Sequence, residues 1–423
     1  MIILNKPYIK KEKNKSRLVF DFKIDEDKKQ IWFEVNNEYS KYLSDDRVDA
    51  IVIGLLNYAM KNNHDIKSDS YITEELLYKL KTYLIPSLSK NAEGLHNINI
   101  DIKTIETSST ANGVGTGCSC GIDSMHAILN HIKIKEKQFK LTHLCINNVG
   151  AFNECYSESG IEKVRKERTK ASEKFAKEIG LPLIVTDSNI SDVIEQLHTH
   201  THTYTSIFAV HCLQKLWKTY YYGSSGESFE HFSIVDNDKK DCSKYELLSL
   251  DCFSTNNLKI FSEGGAKNRL EKTESICNHK IVHKYLHVCT KKEYNCSKCP
   301  KCMRTLLSLY ALDVDLDKYK KVFDINYFNN NKDEYFEWIH NEYLYNSLII
   351  KPIYNKLLEK EEFSNFVKNR EILQLDPSCP NYYKYEYEKI INSKSFKITN
   401  KVLSIPRKII KQIKSLLKSN VKE

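Results

Sequence analysis

One short segment of the chain combines residue types that bind phosphate. The segment GTGCSCGIDSM, residues 115–125, contains three glycines, the hydroxyl groups of Ser119 and Ser124, and the carboxylate of Asp123. It follows an apolar run and precedes a helical pattern, and the unpaired backbone N–H groups at such a junction favour an anion. Glycine also lets the backbone approach phosphate oxygens closely. We therefore expect a phosphate-binding loop at this junction.

Two common phosphate loops do not match this segment. A Walker loop ends in Gly-Lys-Ser/Thr, but no lysine occurs between Lys103 and Lys133. A dinucleotide loop needs G-x-G-x-x-G, whereas Gly115 and Gly117 are followed by Cys120 at the position of the third glycine. The alternative to a binding loop is an ordinary glycine-rich turn that leads into a structural helix.

Residues 119–124, SCGIDS, resemble the S-G-G-x-D-S signature of the N-type PP-loop ATP pyrophosphatase superfamily, with a cysteine in place of the first glycine. The resemblance implies that the loop binds the β- and γ-phosphates of ATP and exposes the α-phosphate to attack. It also implies that Asp123 helps to hold Mg²⁺. The nucleotide contacts that it implies are Ser119, Cys120, Gly121, Ile122, Asp123 and Ser124.

Cys120 is the departure from that signature. If its backbone has a positive φ, cysteine costs about 1 kcal/mol relative to glycine. Two interpretations of its thiol are open: a reactive group that carries sulfur, or a small inert side chain.

Four cysteines within residues 287–305 have the spacing of metal ligands, with gaps of six, two and two residues. Four thiolates close a tetrahedron around Zn²⁺ and leave no open position, so we expect a structural zinc site. An iron–sulfur cluster is the alternative, because C-x-x-C-x-x-C also occurs in cluster proteins. The ligands would be Cys289, Cys296, Cys299 and Cys302.

A PP-loop followed by this cysteine pattern is similar to 7-cyano-7-deazaguanine synthase and its relatives, over residues 113–306. The segment RLEKTE, residues 269–274, looks like that family's Thr-Lys-x-Glu-Ile element. The resemblance implies that Lys272 contacts phosphate and acts with Asp123 in catalysis. The long amino-terminal region, the basic tail and the position of Arg304 differ from the family, so its substrate is not carried over. The closer resemblance is to PP-loop proteins of unassigned function.

The elements around these motifs predict an α/β fold. Apolar runs alternate with helical patterns from residue 113 onward, which favours a five-stranded parallel sheet covered by helices on both faces. The resemblance implies a sheet of the adenine nucleotide alpha hydrolase, or HUP-like, type. The predicted strands are 113–117, 141–147, 181–187, 219–224 and 257–263, and the predicted helices are 121–131, 160–179, 203–217 and 268–277.

Four regions are expected along the chain. Residues 1–107 contain a predicted hairpin (17–24 and 31–35), two helices (47–61 and 72–87) and a strand (98–106), typical of a small α+β domain. The remaining regions are a PP-loop domain over 108–310 that includes the four cysteines, a helical extension over 311–393 and a basic amphipathic tail over 394–423.

Charge is concentrated in the tail. The chain carries a formal net charge of +9, and residues 394–423 hold nine Lys or Arg against Glu423 alone. The remaining body is almost neutral, which disfavours nucleic acid as a partner but leaves a local basic patch open. Residues 406–419 place apolar and basic side chains on opposite helix faces, so the tail either lies on an anionic membrane surface or packs elsewhere.

The chain has no apolar run of the roughly eighteen residues that span a bilayer, and its start is too short for a signal peptide. We expect a cytoplasmic protein, with peripheral contact at the inner face of the membrane as one reading of the tail. The cysteines would then remain thiols or metal ligands.

Four weaker patterns each have a functional and a structural interpretation. The histidines of HTHTHTY, residues 198–204, could bind a metal on a strand, but we expect a polar loop. Arg165 and Arg168 begin a charged helix that either contacts ATP or faces solvent. Gly150 follows the second strand, where the superfamily binds adenosine. Glu263 and the two glycines after it form part of a substrate pocket or a plain turn.

These observations predict an enzyme that transfers the adenylyl group of ATP to a carboxylate or carbonyl oxygen of a small molecule. A nitrogen or sulfur nucleophile would then displace AMP, with nitrogen favoured. The alternatives are a PP-loop enzyme that thiolates tRNA, and a protein that binds ATP or docks on a membrane without catalysis.

Overall fold

The computed structural model describes residues 1–151, 158–224, 229–235, 237, 240–289, 291, 294–344 and 347–375. The predicted tail helix at 406–419 lies outside the described residues. The chain divides into two compact units, of which the first contains Met1 to Lys332 and the second begins at Asp333. No helix in the described ranges is both long and apolar enough to cross a membrane.

The first unit is built on one sheet, to which the described residues contribute eleven strands. They are β1 (Ile2–Leu4), β2 (Tyr8–Lys11), β3 (Lys15–Ile24), β4 (Asp27–Asn36), β5 (Ile66–Thr73), β6 (Ile100–Ile105), β7 (Gly113–Gly117), β8 (His143–Asn148), β9 (Leu183–Ser188), β10 (Trp217–Gly223) and β11 (Lys259–Glu263). Their spatial order is β11-β10-β7-β8-β9-β4-β3-β1-β5-β6, and β2 pairs with β3.

Helices connect and cover these strands. They are α1 (Asp49–Lys61), α2 (Glu74–Lys79), α3 (Ile85–Asn91), α4 (Ile122–His131), α5 (Glu158–Ile179), α6 (Ile190–Ile194), α7 (His198–Cys212), α8 (Glu246–Phe253), α9 (Arg269–Ile276), α10 (Lys280–Tyr285), α11 (Pro300–Ala311), α12 (Ile325–Asn330), α13 (Lys332–Leu344), α14 (Lys351–Leu357) and α15 (Glu361–Leu375). A π-helical turn, Leu80–Leu84, joins α2 to α3, because Pro86 in α3 has no N–H to give to the preceding turn.

Strands β7 to β11 are mutually parallel, as predicted. The first strand of this parallel set, β7, lies in its middle. Strands β8 and β9 follow on one side of β7, and the chain then crosses back to place β10 and β11 on the other side. Where the winding direction changes, between β7 and β10, a crevice opens at the carboxyl ends of the strands. The fold class is therefore α/β, with a ready-made ligand crevice.

The prediction of a five-stranded sheet was wrong, because the parallel set is not bounded at β9. Strand β4 pairs antiparallel with β9 through Phe33 opposite Ser188 and Glu34 opposite Asp187, which joins the amino-terminal strands to the same sheet. The side chain of Ser188 reinforces the junction by donating a hydrogen bond of 2.6 Å to the carbonyl oxygen of Trp32. Pairing between distant segments leaves no local signal in a sequence.

One continuous core supports both parts of this sheet. Helix α1 packs against α7, where Phe208 lies 5.7 Å from Phe20 and 6.2 Å from Phe33 between ring centroids. Gly54 permits the close approach of α1 to both α6 and α7, because a Cβ there would lie 2.6 Å from the Ile190 side chain and 3.1 Å from the Phe208 ring. Residues 50–56 of α1 are all buried, which explains why this helix is apolar on every face.

The second unit contains most of α13 and all of α15. Its core is aromatic, with the ring of Phe336 5.0 Å from Phe363 and 5.7 Å from Phe366. Within the described part of the helical extension predicted over 311–393, the chain forms helices α12 to α15, the last of which ends at Leu375.

Candidate functional site

The glycine-containing segment forms a tight loop between β7 and α4. Strand β7 ends at Gly117, and Gly121 is the residue that caps the start of α4. The N–H of Cys118 donates a 2.7 Å hydrogen bond to the carbonyl of Cys145, which ties the loop to β8. The hydroxyl of Ser119 accepts from the Gly121 N–H at 3.3 Å. The loop is thus held by its own side chains as well as by the sheet.

Cys120 occupies the left-handed region of the backbone, with φ at +58°. Its thiol is only 2% exposed and lies 3.8 Å from the hydroxyl of Ser172. A hydrogen bond with Cys118 lowers the pKa of this thiol against the opposing effect of burial. The thiol is buried behind the loop, which favours the inert reading over a sulfur carrier.

A cleft of about 300 Å³ opens at the carboxyl ends of β7, β8 and β10, which is the place where the winding direction changes. Its lining is mixed in character, with hydroxyl, amide and guanidinium groups beside aromatic rings. The lining residues are Gly117, Cys118, Ser119, Asp123, Ser124, Cys145, Ile146, Asn147, Asn148, Ala151, Arg165, Arg168, Ser172, Ser206, Tyr220, Tyr221, Tyr222 and Gly223.

Asp123, in the first turn of α4, forms ion pairs at the edge of this cleft. Its carboxylate accepts hydrogen bonds from Arg269 at 2.7 Å and from Lys272 at 3.3 Å. Burial raises the pKa of Asp123, but the charges of Arg269 and Lys272 outweigh this effect and leave the pKa below its ordinary value. The carboxylate therefore stays ionised, and it neutralises part of the local positive charge.

Lys272 is fully buried and lies behind Asp123 instead of lining the cleft. Its ammonium group also donates a 3.0 Å hydrogen bond to the carbonyl of Ser224. Gly264, with φ at +87°, leaves room for this lysine, because a Cβ at that position would lie 2.8 Å from Lys272 Cε. The first glycine after Glu263 thus has a packing role.

Two arginines on α5 bring positive charge to the cleft. Arg165 pairs with Asp187 at 3.4 Å, and Arg168 donates to the carbonyl oxygen of Cys289. Lys301 lies close to these cations, because the charges of Arg304 and Arg269 add to desolvation in lowering its pKa. The surroundings of the cleft are therefore suited to an anionic ligand.

The four cysteines predicted as metal ligands lie together. Their sulfur atoms are all within 4.8 Å of one another, and Cys289 Sγ is 3.5 Å from Cys296 Sγ and 3.8 Å from Cys299 Sγ. A Zn–S distance of about 2.3 Å places tetrahedral sulfurs about 3.8 Å apart. The cluster could therefore hold a metal such as zinc. A multi-iron cluster would spread its ligands over different iron atoms and hold them farther apart.

Local structure explains why these cysteines converge. Asn295 folds the segment back on itself, because its side-chain oxygen accepts from the N–H groups of Val288 and Cys289 at 2.9 and 3.2 Å. Ser297 adopts a positive φ of +59° in the turn between two ligands. Cys299 then caps α11, and Pro300 at the first helical position starts that helix.

The cysteine segment contacts the glycine loop directly. The N–H of His287 donates a 2.8 Å hydrogen bond to the carbonyl of Cys120, next to the contact between Arg168 and Cys289. The structure thus brings together two motifs that are far apart in the sequence.

The remaining predicted positions are placed as follows. Ser119, Asp123 and Ser124 line the cleft, whereas Ile122 is buried at the start of α4. Gly150 follows β8 with φ at +111°, between the lining residues Asn148 and Ala151, and a Cβ there would lie 2.2 Å from Ser191 Oγ.

The sequence does not indicate Arg269 as the partner of Asp123. These residues are 146 positions apart, and neither has a local pattern that indicates the other.

The expected polar loop at the histidine-rich segment was wrong. Residues 198–204 form the first turns of α7, so the predicted helix over 203–217 starts earlier and ends at Cys212. Thr201, Thr203 and Tyr204 are buried, and this tertiary packing overrides the low helix propensity of threonine and histidine.

Comparison of the chain with protein-family models, curated proteins and solved structures finds no match.

Proposed function

We propose that the protein is an ATP-dependent enzyme that transfers an adenylyl group to a carboxylate or carbonyl oxygen of a small molecule and releases pyrophosphate. A nitrogen or sulfur nucleophile then displaces AMP. The observation that carries the proposal is the position of the loop at 118–121, which opens into a cleft where the parallel strands change winding direction. The strand order of β7 to β11 also supports an adenine nucleotide alpha hydrolase type of sheet.

The loop provides contacts for the outer phosphates of ATP. The hydroxyls of Ser119 and Ser124 line the cleft, and the backbone N–H groups at the start of α4 favour negative charge. Arg168 adds a guanidinium group to the same cleft. The nucleoside would extend toward the end of β8, where Asn148 and Gly150 lie.

Asp123 is the residue proposed to hold Mg²⁺, because carboxylate oxygen is a ligand that this ion prefers. Its oxygens now accept from Arg269 and Lys272. A triphosphate attracts the same two cations, so ATP binding would draw Arg269 away from Asp123 and toward a phosphate group. One carboxylate oxygen of Asp123 would then be available to bind the metal. When bound, Mg²⁺ supplies neutralisation of charge on the phosphates.

The proposed reaction balances without an oxidant or reductant. The acceptor oxygen forms a bond to the α-phosphorus, the bond from that phosphorus to the bridging oxygen breaks, and pyrophosphate leaves with the electron pair. The chain contributes alignment of the reactants, and it stabilises negative charge on the leaving group through the loop N–H groups and Arg168.

The test is an analysis of products from ATP and Mg²⁺, with and without candidate acids, sugars and nucleosides. The proposal predicts AMP and pyrophosphate, together with acceptor-dependent exchange of labelled pyrophosphate into ATP. Asp123→Asn should lower that exchange at least about 100-fold, whereas the exposed Asp101→Asn on β6 should leave it unchanged.

Formation of ADP and orthophosphate would contradict the mechanism. Tight ATP binding without exchange for any acceptor would select the non-catalytic alternative, and exchange that requires tRNA would select thiolation.

A further inference from the structure

A second group of potential metal ligands lies apart from the four cysteines. His202 on α7 faces Asp241 and Cys242, and the ligand atoms of these three residues are all within 4.8 Å of one another. His202 Nε2 is 3.2 Å from Asp241 Oδ1. Zinc bonds of about 2.0–2.3 Å in a tetrahedral arrangement separate nitrogen, oxygen and sulfur ligands by about 3.3–3.8 Å. Small adjustments therefore suffice for all three residues to reach one ion.

The ligands are held in place by surrounding groups. His202 Nδ1 lies 2.8 Å from the hydroxyl of Tyr222, so the other ring nitrogen, Nε2, is directed toward Asp241. Such a hydrogen bond on the far nitrogen is what orients metal-bound histidine in proteins. The Asp241 carboxylate also accepts from the N–H of Ser243 at 2.9 Å.

The Cys242 side chain and the Asp241 backbone are also held by hydrogen bonds. The sulfur of Cys242 accepts a 3.4 Å hydrogen bond from the N–H of Thr203. Asn237 brackets Asp241, because its side chain accepts from the Asp241 N–H at 2.8 Å and donates to the Asp241 carbonyl at 2.9 Å. The group is therefore preorganised, and little ordering would be required on metal binding.

The three candidate ligands differ in solvent exposure. The side chain of Cys242 is fully buried, whereas those of His202 and Asp241 are 14% and 27% exposed. An ion would thus rest on a buried sulfur and stay accessible from the side of the imidazole and carboxylate.

We infer that His202, Asp241 and Cys242 bind a divalent transition metal ion of the zinc class. The described part of the chain supplies three ligands, one each of nitrogen, oxygen and sulfur, and three protein ligands with an exchangeable fourth position are typical of reactive zinc sites. Tyr222 connects this site to the cleft, since it contacts His202 and also lines the cleft. The inference goes beyond the proposed function and does not depend on it.

Metal content is the measurement that tests this inference. The full chain would be produced with zinc in the medium, dialysed against metal-free buffer and analysed for metal per chain. We expect about two equivalents of metal in the wild-type chain, one for each group of ligands. His202→Gln and Asp241→Asn should each reduce the content by about one equivalent, and Cys299→Ser should remove the other.

His200→Gln is the matched control, because it changes a neighbouring histidine of the same helix that is outside the group. It should keep both equivalents. Far-UV circular dichroism separates loss of metal from loss of fold, and the two substitutions at different ligands provide independent evidence if one of them unfolds. A wild-type chain with one equivalent that His202→Gln and Asp241→Asn both retain would overturn the inference, as would an equal loss in His200→Gln.

Discussion

The backbone N–H of His287 donates a hydrogen bond of 2.8 Å to the carbonyl oxygen of Cys120. This contact joins the segment that carries the four cysteines to the loop that begins α4. Arg168 strengthens the connection, because it lines the cleft and donates to the carbonyl of Cys289. The cysteine cluster therefore supports the candidate phosphate loop, although its sulfur atoms do not line the cleft.

Loss of the metal should weaken nucleotide binding through this contact. Cys299→Ser removes one ligand, so we expect loss of the metal, a less ordered segment around His287 and at least about ten-fold weaker binding of ATP. Calorimetric titration and metal analysis measure both effects. Cys252→Ser, a similar change at another buried cysteine, should retain metal and affinity. Unchanged ATP affinity in a metal-free Cys299→Ser chain would contradict this coupling.

Gly150 should tolerate no side chain. At a φ of +111°, with a Cβ position 2.2 Å from Ser191 Oγ, Gly150→Ala should lower the free energy of unfolding by roughly 3 kcal/mol. Urea denaturation measures this change. Gly180→Ala is the matched control, because its φ is +76° but no described atom lies within 4 Å of its Cβ position, so it should cost only about 1 kcal/mol.

The steric part of the Gly150 effect can be separated from the backbone part. Adding Ser191→Gly to Gly150→Ala removes the atoms that the new Cβ would meet, and most of the excess over Gly180→Ala should be recovered. Equal costs for the two single glycine substitutions would show that the close approach of Ser191 is unimportant.

The backbone conformation at Cys120 predicts which substitutions at this position destabilise the protein most. At a φ of +58°, Cys120→Gly removes strain of about 1 kcal/mol but also loses the buried thiol, so the two effects nearly cancel. Cys120→Val keeps a buried side chain but adds β-branching in the left-handed region, and it should destabilise the chain by about 2 kcal/mol. Thermal unfolding compares the variants. A valine variant as stable as the glycine variant would exclude this backbone conformation.

His126 should make stability depend on pH. Burial lowers its pKa from 6.5 to about 4, so the unfolded state binds more protons than the folded state between these values. Stability must therefore fall as pH decreases from 6.5 to 4, by roughly 3 kcal/mol from this residue. In His126→Gln the decrease, measured by denaturant unfolding across this range, should be smaller by that amount.

Exposed His96 provides the control for the pH experiment, because it lacks the burial of His126. His96→Gln should follow the wild-type pH profile. Parallel profiles for the wild type and His126→Gln would disprove the role of this buried imidazole.

Features with a local signature were predictable from the sequence. The glycine-rich junction predicted the end of β7 at Gly117, and it predicted a helix from residue 121, one residue before α4 begins at Ile122, because turn residues and helix periodicity lie next to each other. The spacing of the four cysteines predicted their convergence, since short gaps keep ligands within reach of one ion.

Features that depend on distant segments were not predictable. The pairing of Phe33 with Ser188 extends the sheet, but nothing near either residue indicates the other. The same holds for His202 and Asp241, which are 39 positions apart and meet because the short helix Cys242–Tyr245, which follows Asp241, packs against α7. The role assigned to Lys272 stays a prediction, and its complete burial directs it to Asp123.

The most direct test of the central claim is a crystal structure with α,β-methylene ATP and Mg²⁺. We predict that the β- and γ-phosphate oxygens lie about 3 Å from the Gly121 N–H and from the hydroxyls of Ser119 and Ser124. The α-phosphate should face the open cleft beside Arg168. An α-phosphate held by the loop, or a nucleotide in the separate cavity lined by Asn57 and His200, would contradict the account.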